Sequence, residues 1–264
     1  DSWKNPKHRA QWGSTLQTYA YPHFGKLLVK DIAQEHVLKA LEPIWKQKTE
    51  TATRLRGRIE SVLDWAAVRK YRAGDNPARW KGHLDKLLPA PSKIQKVEHH
   101  RALPAAQMPT FISDLQTREG IAALEFAVLC AARSGEVRGA VWSEIDMVTG
   151  VWVVPAQRMK AGKEHRVPLS IQAMALLKAL PRATESALVF DTNQGKPLSD
   201  MALTSVLRRM KVDAVPHGFR STFRDWAGEM TNHPREIAEQ ALAHALENKV
   251  EAAYRRGDAL ERRR

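Results

Sequence analysis

Two arginines, two histidines and a late tyrosine occur in a fixed order along the second half of the chain. The arginines are Arg133 and Arg220, and His217 precedes Arg220 by one helical turn. His244 is followed by Tyr254, the only tyrosine in the last two thirds of the sequence. Attack on a phosphodiester builds negative charge on its non-bridging oxygens, and two guanidinium groups can neutralise that charge without a metal ion. These residue types therefore suit metal-free chemistry at phosphorus.

Each of these side chains fits one part of such a reaction. The spacing of His217 and Arg220 places both on one helix face, where a histidine can donate to a phosphate oxygen or move a proton. The phenol of Tyr254 can attack phosphorus once cationic neighbours and a base activate it. The product, a phosphotyrosine ester, would keep the energy of the cleaved bond and allow rejoining without ATP. Taken singly, H-x-x-R is usually a solvated helix face, and a lone tyrosine usually packs.

The charge of the chain favours a polyanionic partner. The 264 residues carry a formal net charge of +13, and the pI is about 10.0. Such a basic balance is typical of proteins that bind nucleic acid. Most of the excess lies in residues 1–105, whereas residues 106–264 are nearly balanced. We therefore expect the N-terminal part to hold the DNA backbone. The candidate contacts are Lys48, Thr51, Arg54 and Arg58.

Cysteine usage and hydropathy predict an intracellular protein. The single cysteine, Cys130, lies in an apolar run, which excludes an intrachain disulfide and a thiolate metal site. The adjacent His99 and His100 are not predicted to bind a metal, because neighbouring side chains rarely converge on one ion. No stretch has the roughly 18–20 consecutive apolar residues of a membrane span, and the N-terminus is not a signal peptide. Because the first residue is not Met, we expect a fragment of a longer protein.

Apolar periodicity and turn residues predict two domains. Residues 1–85 are predicted to form a helical domain, with one helix capped by Asp31 and another over about 50–71. Three prolines and several charges predict a linker over residues 86–105. The second domain would then occupy residues 106–264.

The second predicted domain combines helices with one β-hairpin. The segment at 150–155 predicts a strand, and the alternating segment at 165–170 predicts the returning strand. Lys160 is therefore expected on the tip or flank of this hairpin. Further helices are predicted to be capped by Ser199 or Asp200, to begin near His217, and to begin after Pro234. The last predicted helix carries Tyr254. The predicted fold class is mainly α with a small β-sheet or hairpin in the catalytic domain, or α+β.

With these residues in this order, the chain resembles the tyrosine recombinases, or phage-type integrases. The matching segments are Ala-Ala-Arg-Ser-Gly-Glu-Val-Arg, Arg-Met-Lys-Ala-Gly-Lys-Glu-His-Arg-Val-Pro-Leu-Ser, His-Gly-Phe-Arg and the run from Leu-Ala-His to Ala-Ala-Tyr-Arg-Arg. N-terminal segments such as Asn-Pro-Ala-Arg-Trp resemble the core-binding domain of prophage and genomic-island integrases. Each motif is weak alone, but together they span nearly the whole chain.

The resemblance implies a role for each candidate residue. Arg133 and Arg220 would bind the scissile phosphate, and Glu136 matches an acidic position that supports the first arginine. His217 would assist proton movement. His244 stands where the family has a histidine or tryptophan that hydrogen-bonds the phosphate.

The remaining implied roles belong to the nucleophile and the leaving group. Tyr254 would be the nucleophile and would form a 3′-phosphotyrosine link. Lys160 matches the hairpin lysine that acts as general acid toward the 5′-hydroxyl leaving group. Arg158 and Lys163 are close to it, so the register of the hairpin lysine stays open.

The resemblance also implies a function and partners. The expected enzyme is a site-specific DNA recombinase that integrates or excises a prophage or genomic island without metal, ATP or other cofactor. Its two domains would close around duplex DNA as a C-shaped clamp. We expect a homotetramer on synapsed attachment-type sites, accessory DNA-bending proteins, no membrane partner and a place on the nucleoid in the bacterial cytoplasm. Because the chain shows no arm-binding domain, we do not expect it to recombine alone, and because it stops soon after Tyr254, we expect impaired tetramer formation.

Two alternatives remain at this point. One is a non-catalytic DNA-binding regulator, against which the complete residue set argues. The other is a topoisomerase-like enzyme that relaxes DNA with the same tyrosine chemistry, which relaxation without a specific site would favour. A metal-dependent nuclease is disfavoured, since no carboxylates cluster with suitable spacing.

Overall fold

The computed structural model describes residues 6–95, 100–181, 187–192, 194–244 and 257–264. The chain divides into two compact units, Asp1–Glu98 and His99–Arg264. Each unit has its own cluster of buried apolar side chains. None of the described helices has the length and apolar character that crossing a membrane requires.

The first unit is helical, and the apolar stripes of two neighbouring helices form much of its core. Val37 and Leu41 belong to the same buried cluster as Leu55 and Ile59, because apolar residues three to four positions apart share one helix face. The helices are α1 (Pro6–Thr15), continued by a π-helical turn (Leu16–Ala20), α2 (Tyr21–Phe24), α3 (Gln34–Trp45), α4 (Thr49–Val68) and α5 (Pro91–Ile94), with a 3₁₀ turn at Leu84–Lys86. Helices α3 and α4 pack against each other.

The start of α3 differs from the sequence prediction. The helix begins at Gln34, and Asp31 does not cap it. Instead, the main-chain N–H of Ala33 donates to Nδ1 of His36, at 3.0 Å. A histidine at the third helical position thus takes the part that Glu or Gln plays in a capping box. Asp31 precedes the N-cap residue, Ala33, by two positions and so does not occupy the position from which a side chain caps a helix.

Described residues at both ends of the predicted linker, 86–105, contact one unit or the other. Leu88 is buried in the first core, and the indole N–H of Trp45 donates to the carbonyl of Pro89 at 2.9 Å. On the other side, the carbonyl of Leu103 accepts a hydrogen bond from Thr222 of the second unit. Residues on either side of 96–99 thus contact one unit each, and the linker itself stays a prediction.

The second unit surrounds a three-stranded antiparallel sheet in the order β1-β2-β3. The strands are β1 (Ile145–Asp146), β2 (Val151–Val154) and β3 (His165–Pro168), and Trp152 pairs with Val167 in the β2–β3 hairpin. The helices are α6 (Met108–Gln116), α7 (Ala122–Leu129), α8 (Ser134–Arg138), α9 (Ile171–Ala179), α10 (Ala202–Arg209), α11 (Gly218–Glu229) and α12 (Arg235–Ala241). Short 3₁₀ turns lie at Ala105–Gln107, Trp142–Glu144, Ala156–Arg158 and Glu261–Arg263. Helix α7 packs against α8, α9 and α10 at the centre of the core.

The predicted fold class, mainly α with a small sheet, is confirmed. The hairpin lies where alternation placed it, whereas β1 is too short to leave a periodic signal. Helix α10 begins at Ala202, and Ser199 and Asp200 do not cap it. Asp200 instead pairs with Arg138 of α8. Cys130 is buried, as expected for a small core residue, and burial raises the pKa of its thiol.

Candidate active site

The guanidinium group of Arg220 joins the C-terminal ends of two helices. Arg220 lies in the first turn of α11 and is 5% exposed. Its Nη1 donates to the carbonyl of Ala131, just past α7, and its Nη2 donates to the carbonyl of Leu242, just past α12. The last carbonyls of a helix lack intrahelical partners and carry partial negative charge, so a cation there is favourable. One side chain thereby fixes three helices around the site.

The backbone reverses at both of these helix ends. Ala131 and Ala243 have positive φ values of 46° and 49°. The next amides, those of Ala132 and His244, each return to a carbonyl inside the helix with N···O distances of 3.0 Å. This Schellman-type closure usually uses glycine, because a Cβ in the left-handed region costs about 1–2 kcal/mol. The strain is compensated by the surrounding contacts, and it exposes the carbonyls that hold Arg220.

Arg133 lies beside Arg220 and is oriented by Glu136. The buried Glu136 accepts from the main-chain N–H of Arg133 at 2.9 Å and from its Nη1 at 2.7 Å. Nη2 of Arg133 is 3.5 Å from the carbonyl oxygens of Leu242 and Ala243. The arginine thus N-caps α8 while its side chain reaches the end of α12. The structure brings together Arg133, Glu136 and Arg220 from distant parts of the sequence.

His244 completes this cluster and is held by a carboxylate. Its Nε2 is 3.3 Å from Nη2 of Arg220, and its Nδ1 is 2.5 Å from Oε2 of Glu239. Glu239 also accepts from Nε of Arg224 at 2.6 Å. Burial raises the pKa of Glu239, but the hydrogen bonds from Arg224 and His244 outweigh that effect and lower the pKa below its ordinary value. The carboxylate is therefore charged at neutral pH and orients the imidazole.

Positive charge is in excess around these side chains. Burial, followed by the charge of Arg133, lowers the pKa of Arg220 to about 10, while Glu136 opposes the shift. Burial, followed by the charge of Arg220, also lowers the pKa of His217 at the start of α11. Arg220 still carries its charge at neutral pH. Because nearby cations disfavour one another, an anion bound among them would be stabilised.

Lys160 lies in an exposed turn between β2 and β3. The turn is closed by a hydrogen bond from the N–H of Gly162 to the carbonyl of Met159 at 3.0 Å, with Met159 buried and Lys160 exposed. Lys163 is exposed on the same loop. Among the described residues, no contact joins Lys160 to the arginine pair, so its role stays a prediction.

Arg158, near Lys160 in the sequence, is used within the fold. Its Nη1 donates to the carbonyl of Glu136 at 2.8 Å, and its Nη2 pairs with Glu144. Gly139 provides the space for this, since a Cβ there would lie 2.7 Å from Nη1 of Arg158. Arg158 therefore attaches the hairpin to the helix that carries Glu136, and the two exposed lysines are the cations that this loop presents to solvent.

Tyr254 lies in residues 245–256, outside the described residues. His99 also lies outside the described residues, in 96–99. The described chain ends before this segment at His244, in the arginine cluster, and resumes after it at Gly257. There Asp258 accepts from Nε and Nη2 of Arg166 on β3, at 2.7 and 3.0 Å. His244 and Asp258, which flank this segment, thus both have contacts within the second unit.

Three of the four predicted DNA contacts lie at the surface near the start of α4. Lys48 donates to the hydroxyl of Tyr19 at 3.3 Å, and Arg54 pairs with Glu50 at 2.7 Å. Both side chains are exposed, and Thr51, one turn from each, is half-buried. This arrangement leaves their polar groups accessible to a DNA backbone.

The fourth predicted DNA contact, Arg58, is buried and makes its hydrogen bonds within the first unit. Arg58 is 5% exposed and donates to the carbonyl of Gln11 at 2.7 Å and to the hydroxyl of Thr15. Its guanidinium also lies over the ring of Trp12, 5.7 Å from the centroid. The side chain therefore attaches α4 to α1. Sequence spacing put it on the basic face, but the packing of α1 covers that part of the face.

Sequence reasoning missed several residues of the site. Glu239, which holds His244, lies on the same chain segment and could have been found as an acidic neighbour of that histidine. His100 contacts His217, and Ala131 and Leu242 contribute main-chain carbonyls, which no side-chain motif reports. Among the described residues, no group of three or more His, Cys, Asp and Glu side chains could hold a metal ion.

Two protein families match consecutive parts of the chain. Residues 1–83 match the phage integrase central domain, and residues 101–260 match the phage integrase family. The chain belongs to the phage integrase family. This confirms the resemblance drawn from the motifs around Arg133, His217 and Tyr254.

Related integrases are similar over nearly the whole of this chain. It is 30% identical to the integrase of Enterobacteria phage P4, over 94% of this chain and 60% of that protein. It is 31% identical to prophage integrase IntZ of Escherichia coli K12, over 95% of this chain and 62% of that protein. The chain thus spans about 60% of the length of these curated relatives.

Solved structures of integrases share the fold. Lambda integrase (residues 75–356), as a dimer bound to a COC′ core site, has a TM-score of 0.68 at 17% identity, covering 97% of this chain and 90% of that one. The Tn1549 transposon integrase, in complex with circular intermediate DNA, has a TM-score of 0.65 at 13% identity, covering 96% and 94%. At these identities the match establishes the architecture.

Proposed function

We propose that this chain is the core of a site-specific DNA recombinase that cleaves and rejoins duplex DNA through a 3′-phosphotyrosine link. The observation that carries the proposal is the convergence of Arg133, Arg220 and His244 at the ends of two helices. In a member of the phage integrase family, this cluster is the place for the scissile phosphate.

The cluster is organised before any phosphate binds. Glu136 fixes one edge of the Arg133 guanidinium, and helix-end carbonyls fix Arg220. Nε of Arg220 is buried and has no acceptor in the described part of the chain. Donors held in place need no reorganisation when charge develops on phosphate oxygens, which is the main source of electrostatic catalysis. The two arginines would therefore bind the phosphate and stabilise the pentacoordinate transition state.

The histidines suit the movement of protons. The lowered pKa of His217 leaves its imidazole neutral at pH 7, so it can accept the phenolic proton of Tyr254. The oxygen of Tyr254 would then attack phosphorus while the bond to the 5′-oxygen breaks, and Lys160 would protonate that oxygen. Rejoining is the reverse, with a DNA 5′-hydroxyl attacking the phosphotyrosine. His244, with Nδ1 held by Glu239, would present Nε2 to the phosphate.

We propose that the first unit binds the DNA backbone without regard to base sequence. Lys48, Thr51 and Arg54 would contact the backbone, and the two units would close around the duplex as a clamp. Solved lambda integrase structures include a tetramer bound to a Holliday junction. By analogy, we propose that the whole protein assembles as a tetramer on synapsed attachment-type sites, with accessory DNA-bending proteins, on the nucleoid in the bacterial cytoplasm.

Covalent trapping tests this function. The probe is a library of duplexes with a random central sequence and a nick, so that a short fragment is lost after cleavage and the adduct accumulates. We expect an SDS-resistant protein–DNA adduct in EDTA, with its peptide containing Tyr254. Tyr254→Phe should form no adduct and still shift the selected duplex on a native gel. Tyr71→Phe, at an exposed tyrosine of the first unit, is the matched control and should react normally.

The other outcomes separate the alternatives. An adduct that persists in Tyr254→Phe would show that another residue is the nucleophile. Specific binding without any adduct would favour a DNA-binding regulator, and relaxation of supercoiled plasmid at no particular site would favour a topoisomerase-like enzyme. Loss of the adduct in EDTA would contradict the metal-free mechanism.

A further inference from the structure

The segment that opens the second unit, residues 100–103, is docked on the start of α11. The main-chain N–H of Val215 donates to the carbonyl of Arg101 at 3.1 Å, and the hydroxyl of Thr222 donates to the carbonyl of Leu103 at 2.6 Å. The side chain of Arg101 also pairs with Asp213. Three contacts on both sides of the first helical turn thus fix the path of this segment.

Gly218 allows this docking. It is the first residue of α11, between His217 and Phe219. A Cβ on Gly218 would lie 2.0 Å from the carbonyl oxygen of Arg101 and 2.8 Å from its carbon. Both are main-chain atoms, so no side-chain rotation could relieve the overlap. The glycine in the His-Gly-Phe-Arg motif is therefore required by the segment that packs on it.

The docking places His100 against His217. The two imidazole rings lie edge to face, with centroids 4.8 Å apart and an interplanar angle of 74°. This geometry is favourable for aromatic pairs, because the electropositive edge of one ring meets the electron-rich face of the other. His217 immediately precedes α11, which carries Arg220. His100 therefore lies at the border of the arginine cluster.

We propose that His100 is a positioning residue for His217, fixing the orientation of its ring and favouring its neutral, proton-accepting form. This inference rests on the proposed function, and it adds a residue that the sequence assigned only to a linker. His100 acts through His217 and need not touch DNA.

The charges around His217 agree with this role. Burial lowers the pKa of His217 most, and Arg220, His100, Arg133 and His244 lower it further through their positive charges. Arg220, Arg133 and His244 are the groups proposed to bind the phosphate. His100 is therefore the one of the four that can be changed without altering the arginine cluster. Removing His100 removes one of the groups that disfavour protonation of His217, so the pKa of His217 should rise. A protonated His217 cannot accept a proton, so cleavage should fail first at low pH.

The first test is NMR titration of the His217 ring in the DNA-free chain. We expect His100→Ala to raise the pKa of His217 relative to wild type. His233→Ala, which removes an exposed histidine between α11 and α12, should leave the titration of His217 unchanged. An unchanged titration in His100→Ala would overturn the proposal. Because this readout needs no substrate, it stands even if the chain proves not to be a recombinase.

The second test is the pH profile of single-turnover cleavage on a duplex selected by covalent trapping. We expect His100→Ala to be about threefold slower than wild type near pH 8, because the ring of His217 loses the contact that orients it, and about tenfold slower near pH 6, because more of His217 is then protonated. Gly218→Ala, which displaces the docked segment, should shift the profile in the same direction if it folds. A profile that matches wild type at every pH, or a loss that does not grow toward acid pH, would contradict the proposal.

Discussion

Each unit of this chain contains an arginine that is almost fully buried by contacts between helices, Arg58 in the first and Arg220 in the second, and these two arginines serve different purposes. Arg58 in the first unit and Arg220 in the second are both 5% exposed. Arg58 attaches one helix to another through Gln11 and Thr15, and its neighbouring cation, Arg54, points to solvent and pairs with Glu50. Arg220 is also hydrogen-bonded to main-chain groups, yet it lies among further cations.

The difference shows what marks a site in this protein. A buried guanidinium by itself reports only that its hydrogen bonds are satisfied, and many such groups are structural. Around Arg220, the fold adds His217, His244 and a second guanidinium, Arg133, whose charge lowers the pKa of Arg220 although Glu136 opposes the shift. Maintaining like charges together costs free energy, so the arrangement is best explained by an anionic ligand. The more basic unit has no such convergence in its described part.

Substituting lysine for Arg220 and for Arg58 should separate the roles of the two arginines most clearly. Arg220→Lys keeps the charge but cannot bridge two helix ends and a phosphate, so we expect cleavage to fall by about 10²–10³-fold. Arg58→Lys should lower the free energy of unfolding by about 1–3 kcal/mol and leave the cleavage rate of folded protein within about twofold. Single-turnover kinetics and urea unfolding measure the two effects. A large rate loss in Arg58→Lys would restore it as a DNA contact.

Substituting alanine for one glycine in each unit should change the free energy of unfolding in opposite directions, because the two glycines are packed differently. Gly218→Ala places a Cβ 2.0 Å from the carbonyl oxygen of Arg101, and we expect a loss of about 1–3 kcal/mol in the free energy of unfolding. Gly57 lies inside α4, and a methyl group added there would have no neighbour within 4 Å, so Gly57→Ala should stabilise by about 0.5–1 kcal/mol. Chemical denaturation of both variants gives the result. Equal effects would show that the docked segment is not fixed.

Glu239→Gln tests the carboxylate that holds His244. We expect cleavage at neutral pH to fall about tenfold, because the imidazole loses its charged partner. The lowered pKa of Glu239 also predicts a stability effect. A carboxylate with a depressed pKa in the folded state stabilises above its unfolded pKa, and this is lost as pH falls through the folded value. The stability difference between wild type and variant should therefore shrink as the pH falls below the ordinary glutamate pKa of about 4.3, as thermal unfolding at several pH values would show.

Arg54→Ala should have the smallest effect on the fold. Its ion pair with Glu50 is exposed, and such pairs contribute about 0–1 kcal/mol. If Arg54 contacts a phosphate, the variant should reduce the slope of log affinity against log salt by about 1. Binding of a nonspecific duplex at several salt concentrations measures the slope. An unchanged slope would remove Arg54 from the DNA-binding surface.

Much of the fold could be predicted because its signals are local. Apolar residues three and four apart indicated α4, and alternation indicated the hairpin of β2 and β3 at nearly the observed residues. Helix caps were predicted less well, since Ala33 and His36 form the cap of α3 in place of Asp31. Several polar residues near a helix start can serve as caps, and tertiary packing selects among them.

The candidate site was predicted as a set of residue types more fully than as a set of contacts. Arg133, Glu136, Arg220 and His244 lie together, as the resemblance required, and Tyr254 stays a prediction. The missed partners are main-chain carbonyls and side chains distant in sequence, such as His100. A carbonyl leaves no trace in a motif, and a docked segment is visible only once the fold is formed.

The sequence by itself determined the family of this protein and the kind of chemistry its side chains can perform. Order and spacing of a few reactive residues were enough, because those residues are required whatever surrounds them. Only the tertiary structure decided that Arg58 attaches one helix to another, that Arg220 lies with Arg133 and His244, and that His100 contacts His217. Burial and charge convergence arise from contacts between distant segments, and a linear pattern records neighbours no more than about a helical turn away.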